Sequence, residues 1–210
     1  MHSSRVFKRA AFGLTLVVFA TTWIAPRWPV EQALHSSLTV IGLVWLVLHH
    51  RRWPMRDGDF AAICFFMIVH SIAARWLYSN VPYDAWFQAA FDWSPKTAFG
   101  WERNHADRLI HLLFGLCFTP ALCRVLRQQW PLTARQSYWL GILLIMAISL
   151  VYEWFEWAIA LTLSPDEAEA YNGQQGDLWD AHMDMLLATI GAVATWLWID
   201  RQPQHLHTRE

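Results

Sequence analysis

Six stretches of the chain carry apolar residues with few interruptions: about 8–25, 32–49, 59–78, 106–126, 137–162 and 178–199. Each comes close to the ~20 residues that a helix needs to cross the hydrocarbon of a bilayer. The breaks carry turn and charge signals: "APRWP" after the first stretch, "HHRRWPMRDGD" between the second and third, "RQQWPLTARQ" between the fourth and fifth. The pattern predicts an all-α polytopic membrane protein, a single domain over 1–210 with six transmembrane helices. The breaks 79–105 and 163–177 are predicted as loops on one side of the membrane. The opening "MHSSRVFKRAAFGLTLVVFATTWIAP" imitates a signal peptide, with basic residues before an apolar run. That run is as long as a bilayer requires, and no small-x-small cleavage site precedes Pro26, so a retained first span is expected.

Composition agrees with the pattern. The chain is 55% hydrophobic, with 15 Trp and 12 Phe, and only 16% charged, too little charge to cover a soluble domain of 210 residues. A net charge of −1 gives no basis for a nucleic-acid partner. The distribution of charge is more informative than its sum. Eleven of the 16 Lys and Arg fall on one side: Arg5, Lys8, Arg9, Arg51, Arg52, Arg56, Arg124, Arg127, Arg135, Arg201 and Arg209. The other five are Arg27, Arg75, Lys96, Arg103 and Arg108. This asymmetry predicts that both termini are cytoplasmic and that loops 79–105 and 163–177 face outward. Cys64, Cys117 and Cys123 all lie in apolar stretches, so buried small side chains are expected and no disulfide. The first outer loop is rich in aromatics, among them Trp86, Phe87, Phe91, Trp93, Phe99 and Trp101, which suits an interfacial belt or a lid over a lipid site.

Ionisable residues break the apolar pattern on one side only. In "GDLWDAHMDMLLATIG", Asp177, Asp180 and Asp184 follow i, i+3, i+7 and share a helix face, with Asp184 about 10 Å below the helix start. In "LVYEWFEWAIAL", Glu153 and Glu156 share a face roughly 9–14 Å from the outer end of their span. In "NHADRLIHLL", Asp107 and His111 pair at i, i+4, with Arg108 beside them. Three predicted helices thus deliver acids and a histidine to similar depth in the outer leaflet. His35, His70 and Arg75 add to the same half, and the inner halves carry almost nothing ionisable.

Ionisable groups in hydrocarbon are expensive and normally face one another or a wet cavity. With Asp177 left at the boundary, the five carboxylates Asp107, Glu153, Glu156, Asp180 and Asp184 against Arg75, Arg108 and a few histidines leave a negative excess. Protonation, ion pairing or a bound cation would each relieve it. Carboxylates with one or two histidines suit Mg²⁺, Mn²⁺ or Zn²⁺. The candidate metal ligands are Asp107, His111, Glu153, Asp180 and Asp184. Glu153, Glu156 and His111 are the candidate acid–base groups, and Arg75 and Arg108 the candidate phosphate contacts. Against these stand plainer readings: Asp177 as an N-cap, Asp107 and His111 as an interhelical hydrogen bond, both arginines as mere counter-charges. His35 and His70 read best as satisfied core histidines. His182 lies about 200° around the helix from Asp180 and leaves the face. Gly191, with Ala188 and Ala192, reads as a close helix-packing spot.

The stretches "ADRLIHLLFG", "YEWFEW" and "GDLWDAHMDMLLATIG" also carry a resemblance. The chain resembles, essentially end to end, the YjdF-like bacterial inner-membrane proteins, a family without an established function. It is more distantly similar to VanZ-like membrane proteins, with Asp107 and His111, Glu153 or Glu156, and Asp184 with Gly191 standing at that group's elements. Ala188 departs, standing where many of those sequences have Asn. The resemblance implies an inner-membrane address and envelope lipids as partners; it implies no reaction.

The sequence leaves three functions open. The first is a metal-assisted enzyme acting on a lipid headgroup or lipid-linked envelope precursor. The second is a proton- or cation-coupled transporter or lipid translocator. The third is a structural ion-pair cluster without catalysis. The apolar inner halves weigh against a through-path, the acid excess weighs against a closed ion-pair knot, and no HExxH or GxSxG signature marks a hydrolase.

Overall fold

The computed structural model describes residues 2–164, 168 and 171–196, and among them all regular structure is helical. Among the described residues eight helices follow one another: α1 His2–Thr22, α2 Pro29–Arg52, α3 Asp57–Arg75, α4 Tyr83–Phe91, α5 Pro95–Phe99, α6 Ala106–Gln129, α7 Ala134–Ala160 and α8 Asp180–Ala194. Four of them, α2, α3, α6 and α7, are long and apolar enough to cross a membrane. The other two predicted spans differ for separate reasons. Helix α1 starts earlier than expected and carries Arg5, Lys8 and Arg9 in its first half. Helix α8 is 15 residues long, and the predicted span 178–199 runs beyond the described residues.

Local chemistry sets the helix ends. Pro29 opens α2, where a missing N–H has no intrahelical partner to lose. Asp57 and Asp59 complement the dipole in the first turn of α3. Thr133 and Gln136 form a reciprocal capping box, which starts α7 at Ala134, three residues before the apolar pattern does. The third predicted span ends at Arg75 and not at 78, because Leu77 (φ 47°) and Tyr78 (φ 54°) turn left-handed. Two successive bulky residues there are strained. The Tyr78 N–H to Ala73 carbonyl bond helps hold the turn.

Helix α6 is central and packs against α3, α7 and α8; α1 and α2 both pack on α3. Its closest neighbour is α8. A Cβ on Gly115 would lie 2.0 Å from the Ala188 carbonyl oxygen, and one on Gly191 would lie 2.2 Å from that of Leu112. Only glycine permits this approach from both sides. Tyr138 ties α7 to the same helix by donating to the Val193 carbonyl at 2.6 Å.

The two ends of the bundle differ. One brings together the starts of α1 and α3 and the end of α6, through Lys8–Asp57 (3.0 Å) and Arg124–Asp59 (2.5 Å). The opposite end carries α4 and α5, where Trp86, Phe87, Phe91 and Phe99, and Trp93 between the two helices, are exposed. There Asn104 donates to the Val81 carbonyl (2.8 Å) and exchanges two hydrogen bonds with Gln175, tying three loops over the start of α6.

Candidate functional site

The α6–α8 approach decides where the acids meet. Asp107 and His111, one turn apart on α6, are buried, with His111 Nε2 3.6 Å from Asp107 Oδ1. Asp184, also buried, comes from α8. One ligand atom each from Asp107, His111 and Asp184 lie within 4.8 Å of one another. Glu153 enters from α7, buried, and near enough for its charge to act on both Asp107 and Asp184. Glu156 is half-buried one turn on and interacts side chain to side chain with Tyr152.

The acids separate into two groups. Asp177 and Asp180 are compensated: Arg103 Nη1 donates to Asp180 at 2.6 Å and to Asp177 at 3.2 Å, while Arg108 pairs with Asp177 and lies 3.8 Å from Asp180. The Trp179 N–H, and after it the Arg108 guanidinium, hold the Asp177 carboxyl below its ordinary range. Burial opposes the charge of Arg103, but the hydrogen bond and charge of Asp180 prevail and raise its pKa. His105, beside them, is lowered by burial and by the Arg108 and Arg103 charges, so it is neutral at pH 7. Asp107, Asp184, Glu153 and Glu156 form no ion pair to Lys or Arg among the described residues; only His111 stands within pairing distance of Asp107. Asp184 Oδ1 and Glu153 Oε1 are buried without a hydrogen-bond partner. Such atoms are costly unless something else satisfies them.

Asp107 and His111 also face a cavity of about 580 Å³ lined by α2, α3, α6 and α7. Its polar end adds Tyr78, His70 and Tyr152. The Tyr78 hydroxyl lies 2.8 Å from His70 Nε2, whose Nδ1 lies 2.9 Å from Thr39 Oγ1. His70 is therefore satisfied within the core. His35 stacks on Tyr171 at 4.4 Å and meets the edge of Tyr78 at 4.7 Å. His182 is exposed, its ring against Trp179.

Three expected roles meet different geometry. Arg75 does not join the acids: it donates to the carbonyls of Thr22 (2.5 Å) and Ile24 (2.9 Å), which the end of α1 leaves without intrahelical partners. Arg108, expected at a phosphate, is taken by Asp177. Asp180, expected at a metal, is taken by Arg103. The hydropathy pattern does not single out Arg103, Tyr78 or Tyr152. For Arg103 a signal exists, since five acids demand more cations than the spans supply. Nothing in the periodicity points to Tyr78, which reaches the cavity through a left-handed turn.

A family model described as "Predicted membrane protein (DUF2238)" matches residues 7–205. The chain belongs to that family. Within curated proteins it is 28% identical over 207 residues to the inner membrane protein YjdF of Escherichia coli (strain K12), covering 93% of this chain and 90% of that protein. No solved structure matches. The DUF2238 chain is thus an integral membrane protein, and its chemistry must be argued from the site itself.

Proposed function

We propose that this DUF2238 protein is a six-span inner-membrane protein with both termini cytoplasmic. On this reading Asp107, His111 and Asp184 hold a divalent cation in the outer leaflet, Glu153 completes the site, and the centre acts on the headgroup of an envelope lipid. One observation carries the proposal: three buried ligand groups from two helices converge within 4.8 Å, and unsatisfied oxygens of Asp184 and Glu153 stand beside them. A cation would neutralise charges that form no ion pair with Lys or Arg among the described residues. One imidazole among carboxylates suits Mn²⁺ or Zn²⁺ better than Mg²⁺, which prefers oxygen and retained water. Such an ion polarises a phosphoryl or acyl oxygen and makes bound water acidic.

The protein side chains supply the rest. Glu153, with one carboxylate oxygen unpartnered, is placed to take a proton from an attacking water or hydroxyl. Glu156, with Tyr152, stands one turn on as its proton relay, and Glu153 gives the proton it has taken to the leaving headgroup, while His111, at the boundary with the cavity, stays among the groups that would hold the cation. Arg103 and Arg108, fixed on Asp177 and Asp180, close the acidic nest from the loop side. That part of the cluster is structural, as an ion-pair reading expects. Transport is less well supported, because the cavity walls below His111 are Phe114, Phe118, Leu122 and Ile148.

Metal content of purified protein tests the reading. Bound Mn or Zn near one per chain is expected, falling at least tenfold in Asp184→Asn and by a smaller factor in Glu153→Gln. Both variants should keep wild-type elution and helicity, since neither carboxylate is ion-paired with Lys or Arg among the described residues. A metal-free wild type, or variants that unfold instead of losing metal, would defeat the proposal in favour of a purely structural cluster.

A further inference from the structure

The cavity has a property that the acid site does not require. Along α6, its lining runs Asp107, His111, Phe114, Phe118, Leu122, a stripe at helical spacing that begins ionisable and ends in about 12 Å of uninterrupted apolar wall. The facing walls follow the same gradient. Helix α7 presents Tyr152 near the polar end and Ile148 beyond it, while α2 and α3 contribute Trp45, Phe66 and Met67. The cavity therefore matches an amphiphile in length and polarity and not a small polar solute.

The rim shows where such a molecule enters. Helix α2 packs on α3, and α7 packs on α6 and α8, so α2 and α7 stand across the cavity from one another. Ile41 on one lip and Ile148, Val151 and Phe155 on the other are exposed, apolar and within predicted spans, and Leu38 lines the cavity one turn before Ile41. A ligand arriving through that gap arrives from hydrocarbon, not from water.

We propose that the cleft between α2 and α7 is a lateral port through which one membrane lipid enters, its hydrocarbon lying along Phe114, Phe118, Leu122 and Trp45 and its phosphate-bearing head at the His111 and Tyr78 end. The position of the head rests on the proposed metal centre; the hydrocarbon seat does not. Because the arginines expected to meet a phosphate are engaged by Asp177 and by the end of α1, and no Lys or Arg lines the cavity among the described residues, the head depends on the cation. The port thus names the substrate class as a phospholipid drawn from the bilayer, with its reacting group presented sideways to the acids.

Photolabelling tests this. The full-length protein is placed in vesicles of phosphatidylethanolamine and phosphatidylglycerol doped with a phospholipid bearing a diazirine on its acyl chain, and the adducts are mapped. Adducts on Trp45, Phe118 and Leu122 are expected, and a Leu38→Trp, Val151→Trp double variant should lower them at least fivefold while leaving labels on the outward-facing Leu140 and Leu144 unchanged. A second double variant, Leu38→Phe with Val151→Phe, serves if the first does not fold. Labelling confined to Leu140, Leu144 and similar outward positions, or cavity labelling indifferent to both variants, overturns the port. Bound metal is measured on the same samples. Cavity labelling without metal leaves the port standing and removes the metal centre; metal without cavity labelling does the reverse.

Discussion

Gly115→Val should destabilise the bundle by about 3 kcal/mol or more, lowering the thermal midpoint in detergent by roughly 6 °C at least. The Cβ alone would sit 2.0 Å from the Ala188 carbonyl oxygen and 2.6 Å from the Ala192 nitrogen. Both atoms belong to the backbone, so no rotamer change relieves the overlap, and α6 and α8 must separate. Gly191→Val should act alike, because its Cβ would meet the Leu112 carbonyl oxygen at 2.2 Å. Gly13→Val is the control, with nothing within 4 Å of its Cβ. The seam also brings Asp184 to Asp107 and His111, so under the proposed metal reading both seam variants should lose the ion even where they remain folded. Wild-type midpoints in both would show that these helices do not touch as described.

Arg103 carries the second large effect. Its side chain is 12% exposed and that of Asp180 only 6%, so Arg103→Met leaves a buried carboxylate without its counter-charge. Removing one partner of a buried pair typically costs about 3–5 kcal/mol. Arg108, at 3.8 Å from Asp180, cannot fully replace it. Arg103→Met with Asp180→Leu should recover most of the loss, because neither charge then remains buried alone. Chemical unfolding of the three variants measures this. A single variant as stable as wild type would mean that Asp180 is neutral or wetter than its burial indicates.

Much of this arrangement is legible in the pattern of the chain, and the gaps have physical reasons. Helical periodicity fixes which residues share a face, so the spacing i, i+4 alone pairs Asp107 with His111 and Asp180 with Asp184. The small residues Ala188, Gly191 and Ala192 mark the contact side of α8, which faces Gly115. Periodicity says nothing of where a loop side chain reaches. Arg103 lies three residues before α6, and its partners are 74 and 77 residues away. Arg75 looks like a counter-ion because it shares a level with the acids, yet exposed carbonyls at the end of α1 are its closer partners. The apolar pattern carries α3 three residues too far because Leu77 and Tyr78 have side chains that fit a helix, and only tertiary contacts hold them in a left-handed turn.

The ligand set proposed for this site is one imidazole among carboxylates, and manganese would report on it directly. Spin-echo paramagnetic resonance of the Mn²⁺-loaded protein should show nitrogen coupling from a single histidine, and His111→Gln should abolish that coupling without unfolding the chain. Stoichiometric manganese with only oxygen or water around it, or a nitrogen signal that survives in His111→Gln, would contradict a centre built from Asp107, His111 and Asp184.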